Sequence, residues 1–426
     1  MSTYEEESSV PWHPAAMVEI DSQSKAPSGF VSRQFRGMQL KLSLIEPESE
    51  PTSAEDWSSL ISSLEPWGET PSEIEALTCI TTERGPVLTL ETSSGRWTAE
   101  ILPWGSARMS PRSRIAPPEF CTPNGGYTDE GTDLILVRRI NESATDAHSV
   151  LVDHLSRSDE SAARALLERC GAALGRFHEA AAEEWTNPPD QKRWNERFHE
   201  IEGRLKARSL WRAPFTRGAP ATLSIGDLRF SMFAQDQTGR MGIRLGPPRL
   251  ADGLIPPDAN MPAIRDLASL LHDLSRVHHR SSTDIELLNL RAALMAGWAS
   301  TAPDQWSSKR SFSAHTGGVV IWEYEQALLD VVEAVSNQSG SPEPAVSIIT
   351  AVPVLQQGLF NARILSAGWM ICAIFGGIGV YNWIQIMLML EGTMIIPTIP
   401  IVLFSVAFLL RRRYLAAAPA PEMPIH

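Results

Sequence analysis

The most constraining feature of this chain is a long uncharged segment near its C-terminus. Residues 364–390 carry no formal charge over 27 positions, and a helix needs only about 20 apolar residues to cross the hydrocarbon core of a bilayer. A second uncharged run, residues 394–410, follows after Glu391 and Gly392. The two runs together predict a transmembrane hairpin of two helices. The pattern leaves open the alternative of two buried helices in a soluble protein.

Charges on both sides of these runs predict the orientation of the hairpin. Arg363 precedes the first run and an arginine triplet follows the second, whereas the connection carries only Glu391. Lysine and arginine are enriched in the loops that stay in the cytoplasm. We therefore expect an inner (cytoplasmic) membrane protein whose N-terminal body and C-terminus are both cytoplasmic. The residues expected in or at the bilayer are Ile364, Trp369, Tyr381, Trp383, Met394, Leu410, Arg411, Arg412 and Arg413.

The chain as a whole is acidic. With 37 Lys and Arg against 50 Asp and Glu, its formal net charge is −13, which disfavours a nucleic-acid partner because a polyanion would be repelled. The four cysteines are scattered without a CxxC pair, so neither a zinc site nor a disulfide framework is predicted. No metal or other cofactor is expected, and histidines such as His178 are interpreted as satisfied core or surface residues. Only five of the basic residues are lysines, a usage typical of GC-rich bacterial genomes.

Residues 1–70 are rich in Ser, Pro and Glu. Such a composition buries too little apolar area to offset the loss of chain entropy, so this segment is predicted to be extended apart from one short helix. That helix is indicated by Ser53 and Asp56, which have the spacing of a capping box and precede an apolar stripe.

The rest of the chain divides by its periodicity. Strand-like alternation, including a hairpin that turns at residues 92–95, predicts a β-rich small lobe, and helical periodicity with a few short strands predicts a helical large lobe. We therefore expect an α+β, bilobal domain followed by the hairpin. The predicted boundaries are 71–140 for the small lobe, 141–340 for the large lobe, 341–363 for a linker or interfacial helix, 364–413 for the hairpin and 414–426 for a cytoplasmic tail.

Four short segments carry the most specific patterns: 170–178 (CGAALGRFH), 223–232 (LSIGDLRFSM), 243–250 (IRLGPPRL) and 264–276 (IRDLASLLHDLSR). The second resembles the catalytic loop HGDLHPxN of bacterial kinase-like phosphotransferases, and the third resembles the IDFGPAR segment that follows it there. The first and fourth are similar to the LGRxLARLH and RDLARLLRDLSR helices of the lipopolysaccharide (Kdo and heptose) kinases. The resemblance, which extends to aminoglycoside phosphotransferases, covers residues 70–300 and implies a protein-kinase-like fold.

The resemblance also assigns the positions at which a kinase holds Mg²⁺ and phosphate. Asp227 matches the catalytic Asp, but Met232 stands at the position of the metal-binding Asn and Arg244 at that of the DFG Asp. Glu100 stands at the position of the phosphate-binding lysine. Because Mg²⁺ requires oxygen ligands and a carboxylate repels phosphate, these residues predict a degenerate site without catalysis and without bound nucleotide.

Further expectations concern individual residues of this site. Asp227 is interpreted as a structural carboxylate that accepts hydrogen bonds from the backbone of the catalytic loop, with catalysis as the alternative. Arg244 is a candidate partner of Asp227. Asp266 matches a position that ties the start of its helix to the catalytic loop. A cleft that binds an anion through Arg244 and Arg249 is a third alternative.

These patterns predict a catalytically inactive, membrane-anchored pseudokinase that serves as a scaffold, assembly or regulatory subunit of a bacterial membrane protein complex. Its expected partners are an integral membrane protein complex and the lipid bilayer. The alternative is an atypical membrane-bound kinase that phosphorylates a lipid or glycolipid with the help of Asp227.

Overall fold

The computed structural model describes residues 12–15, 18–20, 25–38, 40–107, 114, 123–140, 144–207, 210, 219–246, 248–256, 260–389 and 397–425. Along the chain, a small N-terminal sheet is followed by a β-rich lobe, a helical lobe and two long C-terminal helices. The predicted mixed, bilobal architecture is therefore present.

A three-stranded antiparallel sheet precedes the small lobe. Its strands are β1 (Val18–Ile20), β2 (Phe30–Gly37) and β3 (Leu40–Pro47), in that order across the sheet. Residues 1–70 were predicted as extended chain with one short helix; over these strands the chain is extended, but it is paired into a sheet that the composition did not indicate. Phe30, Phe35 and Leu44 are buried, so this part of the segment supplies the apolar area that its average composition hides.

Helix α1 (Ala54–Ile61) confirms the helix predicted in the N-terminal segment. Ser53 accepts a hydrogen bond from the amide of Asp56, and the Asp56 carboxylate accepts one in return, which completes the capping box. Trp57 and Leu60 are buried against the back of the small lobe.

The small lobe is an antiparallel sheet of six strands in the order β4-β8-β9-β7-β6-β5. The predicted hairpin is confirmed by the pairing of β6 with β7. Trp97, Ala99 and Ile101 of β7 are buried on the face that also contacts α1. Since side chains alternate along a strand, Glu100 lies on the opposite face, towards the large lobe. The strands are β4 (Glu65–Gly68), β5 (Ile74–Thr82), β6 (Gly85–Thr92), β7 (Gly95–Ala107), β8 (Gly125–Asp129) and β9 (Thr132–Arg139).

The large lobe is built around one central helix, α6, which is buried along most of its length. The helical lobe with a few short strands that the periodicity predicted is present. The helices are α2 (Ala147–Ser156), α3 (Glu160–Trp185), α4 (Gln191–Arg204), α5 (Leu250–Leu254), α6 (Ala263–Ser281), α7 (Leu287–Ala299), α8 (Lys309–Phe312) and α9 (Val319–Ser336). Short strands complete the lobe: β10 (Thr145–Asp146), β11 (Ala221–Thr222), β12 (Phe233–Gln235), β13 (Met241–Ile243) and β14 (Met261–Pro262).

Two long helices end the chain, α10 (Ala345–Met389) and α11 (Thr398–Ala416). The first part of α10 packs on the large lobe through Ile348, Val352 and Leu359, which are buried. Residues 345–363 are thus the beginning of the same helix, and the prediction of a separate interfacial helix is wrong because this stretch has a body-facing apolar stripe.

Beyond residue 363, the apolar side chains of α10 are mostly exposed. Among the described residues, α10 is the one helix that is long and apolar enough to cross a membrane, judged by length and composition. Helix α11 packs along it: a Cβ atom added at Gly368 would lie 3.3 Å from Leu410, and one added at Gly379 would lie 3.1 Å from Pro400. Met394, predicted at the start of a second span, lies outside the described residues.

Candidate functional site

Helix α6 holds the segment that resembles a catalytic loop. Three polar side chains at positions i, i+3 and i+7 face the backbone of residues 225–230, as one side of a helix does. Asp266 accepts hydrogen bonds from the amides of Ile225 (2.8 Å) and Gly226 (3.3 Å), Ser269 from that of Leu228 (3.0 Å) and Asp273 from that of Phe230 (2.8 Å). The prediction that Asp266 ties its helix to this loop is confirmed.

Asp266 is itself held in place by a buried histidine. His178 Nε2 lies 3.1 Å from its carboxylate, and Trp298 Nε1 donates to His178 Nδ1 at 2.9 Å. Because Nδ1 accepts a hydrogen bond from the indole, Nε2 carries the proton and donates to Asp266. His178 is therefore a satisfied core histidine, as the sequence predicted.

Arginines surround Asp227, whose side chain is only 4% exposed. Arg84 Nη2 and Arg229 Nε donate to Asp227 Oδ2 at 2.6 and 2.9 Å, and Arg249 Nη2 lies 3.6 Å from Oδ1. The partners of Asp227 are thus guanidinium groups, and it is Asp266 that accepts from the loop backbone. The contact with the loop backbone that we expected of Asp227 is therefore made by Asp266, and Asp227 instead binds arginines.

Glu100 binds two further arginines on the lobe-facing side of β7. Arg138 Nη1 donates to Glu100 Oε2 at 2.5 Å, and Arg244 Nη2 donates to Oε1. The expected pair between Arg244 and Asp227 is wrong: Arg244 contacts Glu100, the residue that the resemblance assigned to the position of a phosphate-binding lysine. The opposite charges of Glu100 and Arg244 neutralise each other.

The ion pairs Arg84–Asp227 and Glu100–Arg244 join the two lobes. Arg84 belongs to the turn between β5 and β6, and Glu100 to β7, so each ion pair crosses from the small lobe to the large lobe. Trp104 Nε1 also donates to the carbonyl of Pro248 at 2.8 Å, and Arg138 Nη2 donates to that of Leu245. Within the described residues, these four contacts cross the cleft between the lobes.

The donor set at these positions does not fit Mg²⁺. Met232 is buried and offers a thioether, Arg244 offers a cation, and Mg²⁺ takes oxygen ligands. The two carboxylates of the predicted set, Asp227 and Glu100, both already face arginines.

Arg249, predicted as part of an anion site, is enclosed within the large lobe. Its guanidinium donates to Asp330 at 2.9 Å and to Gln326, in addition to its contact with Asp227. Its side chain is 2% exposed. The Arg249 guanidinium, which an external anion would need, is therefore already bound to acceptors inside the lobe.

A cavity of about 420 Å³ lies beside this cluster. It opens between the turn of β5 and β6, the C-terminal end of α6 and the residues that connect α9 to α10. Its walls carry both signs of charge, from Glu83, Arg229, Arg276 and Glu333 among others. No pattern in the sequence indicated this cavity, because its walls come from separate segments that extend along the chain from Glu83 to Glu343.

Comparisons with known proteins concern the fold. No protein-family profile matches the chain, and no curated protein sequence matches it. Solved structures similar to it include a glucosamine kinase in complex with glucosamine, ADP and inorganic phosphate, at 15% identity and a TM-score of 0.47, which covers 76% of this chain and 90% of that one. Choline kinase LicA from Streptococcus pneumoniae has 12% identity and a TM-score of 0.32, with 66% and 92% covered. Spectinomycin phosphotransferase APH(9)-Ia, in complex with ADP and spectinomycin, has 11% identity and a TM-score of 0.37, with 71% and 99% covered.

The fold is kinase-like. A small antiparallel lobe, a catalytic-loop segment held by a long buried helix, and a short β12–β13 hairpin after that loop occur in the predicted order. This order of elements agrees with the kinase-like fold that the resemblance implied. What the similar proteins bind or phosphorylate belongs to those proteins.

Acid should destabilise the folded protein by protonating two buried carboxylates, those of Asp227 and Glu100. Burial alone would raise the pKa of Asp227, but the charges of Arg229, Arg249 and Arg84 hold that pKa well below its ordinary value of 3.8. Burial would also raise the pKa of Glu100, but the charges of Arg138 and Arg244 lower that pKa below its ordinary value of 4.5. A carboxyl with a lowered pKa in the folded state contributes stability that is present above its ordinary pKa and lost as the pH falls towards the folded value.

We therefore expect the thermal unfolding midpoint of the purified protein to fall steeply below about pH 4. The variant Asp227→Asn should show a shallower decline, although its midpoint at pH 7 is lower. Burial raises the pKa of Glu333, so Glu333→Gln should retain the steep decline and serves as the control. Equal slopes in all three proteins would contradict this assignment.

Proposed function

We propose that this chain is a catalytically inactive, membrane-anchored kinase-like protein that acts as an assembly or regulatory subunit of a membrane protein complex. The observation that supports this proposal most directly is the ion pair between Glu100 and Arg244. These two residues stand where a kinase has a lysine for phosphate and an aspartate for Mg²⁺.

Phosphoryl transfer depends on positioning and on neutralising the charge of the transferred group. In this cleft Glu100 adds negative charge where phosphate would lie, and Arg244 adds positive charge where Mg²⁺ would lie. Arg84 donates to Asp227, which is thereby occupied as an acceptor for a substrate hydroxyl. Each change alone would slow transfer by orders of magnitude, and together they favour a role without turnover.

Helix α10 supports the membrane anchor. Arg411 of α11 lies over the ring of Trp369, 5.9 Å from its centroid, as expected for a boundary between headgroups and hydrocarbon. From Trp369 to Met389, 21 residues of helix span about 31 Å at 1.5 Å per residue, close to the thickness of a bilayer core. We therefore place the cytoplasmic boundary at Trp369, one turn beyond the predicted Ile364.

Helix α11 supports a second, shorter pass that returns the chain to the cytoplasm. Its apolar part ends at Leu410, next to Gly368 of α10, and its arginines follow at the boundary level. Tyr381 lies 12 residues beyond Trp369 and Trp383 lies 14 beyond it, which on this placement puts both in the hydrocarbon core and not at the headgroup level.

The body is joined firmly to these helices, which suits a subunit that presents a fixed surface. Arg291 of α7 is fully buried, pairs with Glu323 at 2.7 Å and donates to the carbonyl of Glu422 in the C-terminal tail at 2.8 Å. His315 Nε2 donates to the carbonyl of Tyr414 at 3.1 Å, and the two rings stack. The tail is thereby bound to the large lobe on its return.

A nucleotide-binding measurement tests the loss of catalysis. We expect no change in the thermal midpoint of the detergent-solubilised protein on addition of Mg²⁺ and ATP, because arginines already pair with the cleft carboxylates of Asp227 and Glu100. The variant Asp227→Asn should behave in the same way as the wild type with respect to nucleotide. Recovery of a defined membrane protein after extraction in mild detergent would support the scaffold role.

The cavity beside Arg229 favours a second candidate, an atypical membrane-bound kinase that acts on a lipid or glycolipid. An upward shift with Mg²⁺ and ATP that disappears in Asp227→Asn would favour this candidate and contradict the inactive subunit. A shift that persists in Asp227→Asn would indicate nucleotide binding without use of the catalytic-loop carboxylate.

A further inference from the structure

The end of helix α11 lies beside the short helix α8 of the large lobe. His315 contacts Tyr414 through a hydrogen bond and through stacked rings 4.3 Å apart. The neighbouring residue, Thr316, donates its hydroxyl to the carbonyl of Arg310. These contacts bring Arg310, and with it Lys309, next to the segment that carries Arg411, Arg412 and Arg413.

The electrostatic interaction between Arg310 and Tyr414 also indicates that α8 lies close to the end of α11. Burial raises the pKa of Tyr414, and the charge of Arg310 partly offsets this rise. Lys309, Arg310, Arg412 and Arg413 are exposed, and in the described part of the chain no carboxylate pairs with any of these four side chains. Their charges face outward in a molecule whose formal net charge is −13.

Basic residues of the body and of the hairpin therefore meet at one level. We call Lys309, Arg310, Arg411, Arg412 and Arg413 the basic collar. Arg411 stacks on Trp369, which puts the collar at the boundary that we assign to the cytoplasmic surface of the bilayer. Anionic lipids give that surface a negative potential, and basic residues near it are attracted by about 1 kcal/mol each.

We propose that the basic collar binds the headgroups of anionic phospholipids, with Lys309 and Arg310 as the contribution of the large lobe. The proposal rests on the membrane anchoring proposed above and extends it, because it assigns the kinase-like body a lipid contact of its own. An acidic protein segment would satisfy the same charges, but the position of the collar at the bilayer boundary favours lipid.

Two Lys-Arg pairs in this chain allow a matched test. Lys309→Gln/Arg310→Gln removes the pair at the collar, and Lys192→Gln/Arg193→Gln removes an exposed pair at the start of α4. Full-length protein is purified in detergent micelles that contain equal amounts of phosphatidylglycerol and phosphatidylcholine. Native mass spectrometry then measures the ratio of the two lipids retained.

We expect the wild type and the α4 control to retain phosphatidylglycerol preferentially. The collar variant should lose about tenfold or more of this preference, at roughly 1 kcal/mol for each basic residue removed. Equal retention of both lipids by the wild type, or an unchanged ratio in the collar variant, would overturn the proposal. So would a collar variant that loses a co-purifying protein and keeps its lipid.

Fractionation of cells separates this proposal from the anchoring on which it rests. A chain that is recovered in the soluble fraction without detergent would overturn both. A chain that needs detergent for extraction but retains the two lipids equally would overturn the lipid contact alone.

Discussion

Replacing Glu100 by glutamine is expected to destabilise the protein by about 3 kcal/mol, since removing one member of a buried ion pair leaves its partner charged and unpaired. The partner that matters most is Arg138, whose side chain is 6% exposed. Arg244 is 40% exposed, so water screens it and its contribution is smaller. In a large domain this loss corresponds to a decrease of about 6 °C in the thermal midpoint.

An exposed ion pair on the same sheet provides the control. Glu69 and Arg139 are about half exposed, at 53% and 50%, and such pairs contribute roughly 0–1 kcal/mol. Glu69→Gln should therefore change the midpoint little. Equal effects of the two substitutions would contradict the view that Glu100 is a buried anchor between the lobes.

The substitution Glu100→Lys sharpens this test, because it restores the residue type that a kinase has at this position. A lysine there would face Arg138 and Arg244, so we expect a larger loss of stability than with glutamine and no nucleotide binding. A stable Glu100→Lys variant that binds Mg²⁺ and ATP would instead mark the cleft as a dormant nucleotide site.

The sequence predicted the parts of the fold that depend on local pattern. The β6–β7 hairpin, the capped helix α1 and the helices of the large lobe follow from periodicity and capping residues within short windows. The position of Asp266 beneath the catalytic loop followed from the resemblance. Strands β2 and β3 were missed because an acidic Ser/Pro-rich run at 46–56 dominated the average composition of their segment.

The ion pairs of the cleft could not be predicted, because they depend on how the lobes meet. Arg84 and Asp227 are 143 positions apart, and Glu100 and Arg244 are 144 apart. Either arginine could have paired with either carboxylate on charge alone. Arg138 and Arg229 were not singled out at all, since no pattern distinguishes them from the other arginines.

Replacing Asp266 by alanine is expected to be among the most damaging substitutions in the large lobe. Its carboxylate accepts from Ile225 and Gly226 amides and from the Ser224 hydroxyl, and it faces the protonated Nε2 of His178. Each buried donor left unpaired costs roughly 1–3 kcal/mol, so the loss should be at least about 3 kcal/mol. Thermal unfolding measures the total effect, and hydrogen exchange at the amides of residues 225–230 should show the loop losing protection.

Asp236 provides a matched control on the surface of the same lobe. It also accepts two amide hydrogen bonds and one from a hydroxyl, from Thr238 and Arg240, but it is only partly buried, so water can replace them. Asp236→Ala should therefore leave the midpoint and the exchange at 225–230 nearly unchanged. Asp266→Asn, which keeps one acceptor oxygen, should fall between the wild type and Asp266→Ala. If Asp236→Ala proved as damaging as Asp266→Ala, hydrogen bonding alone would explain the loss, and burial beneath the catalytic loop would not be its cause.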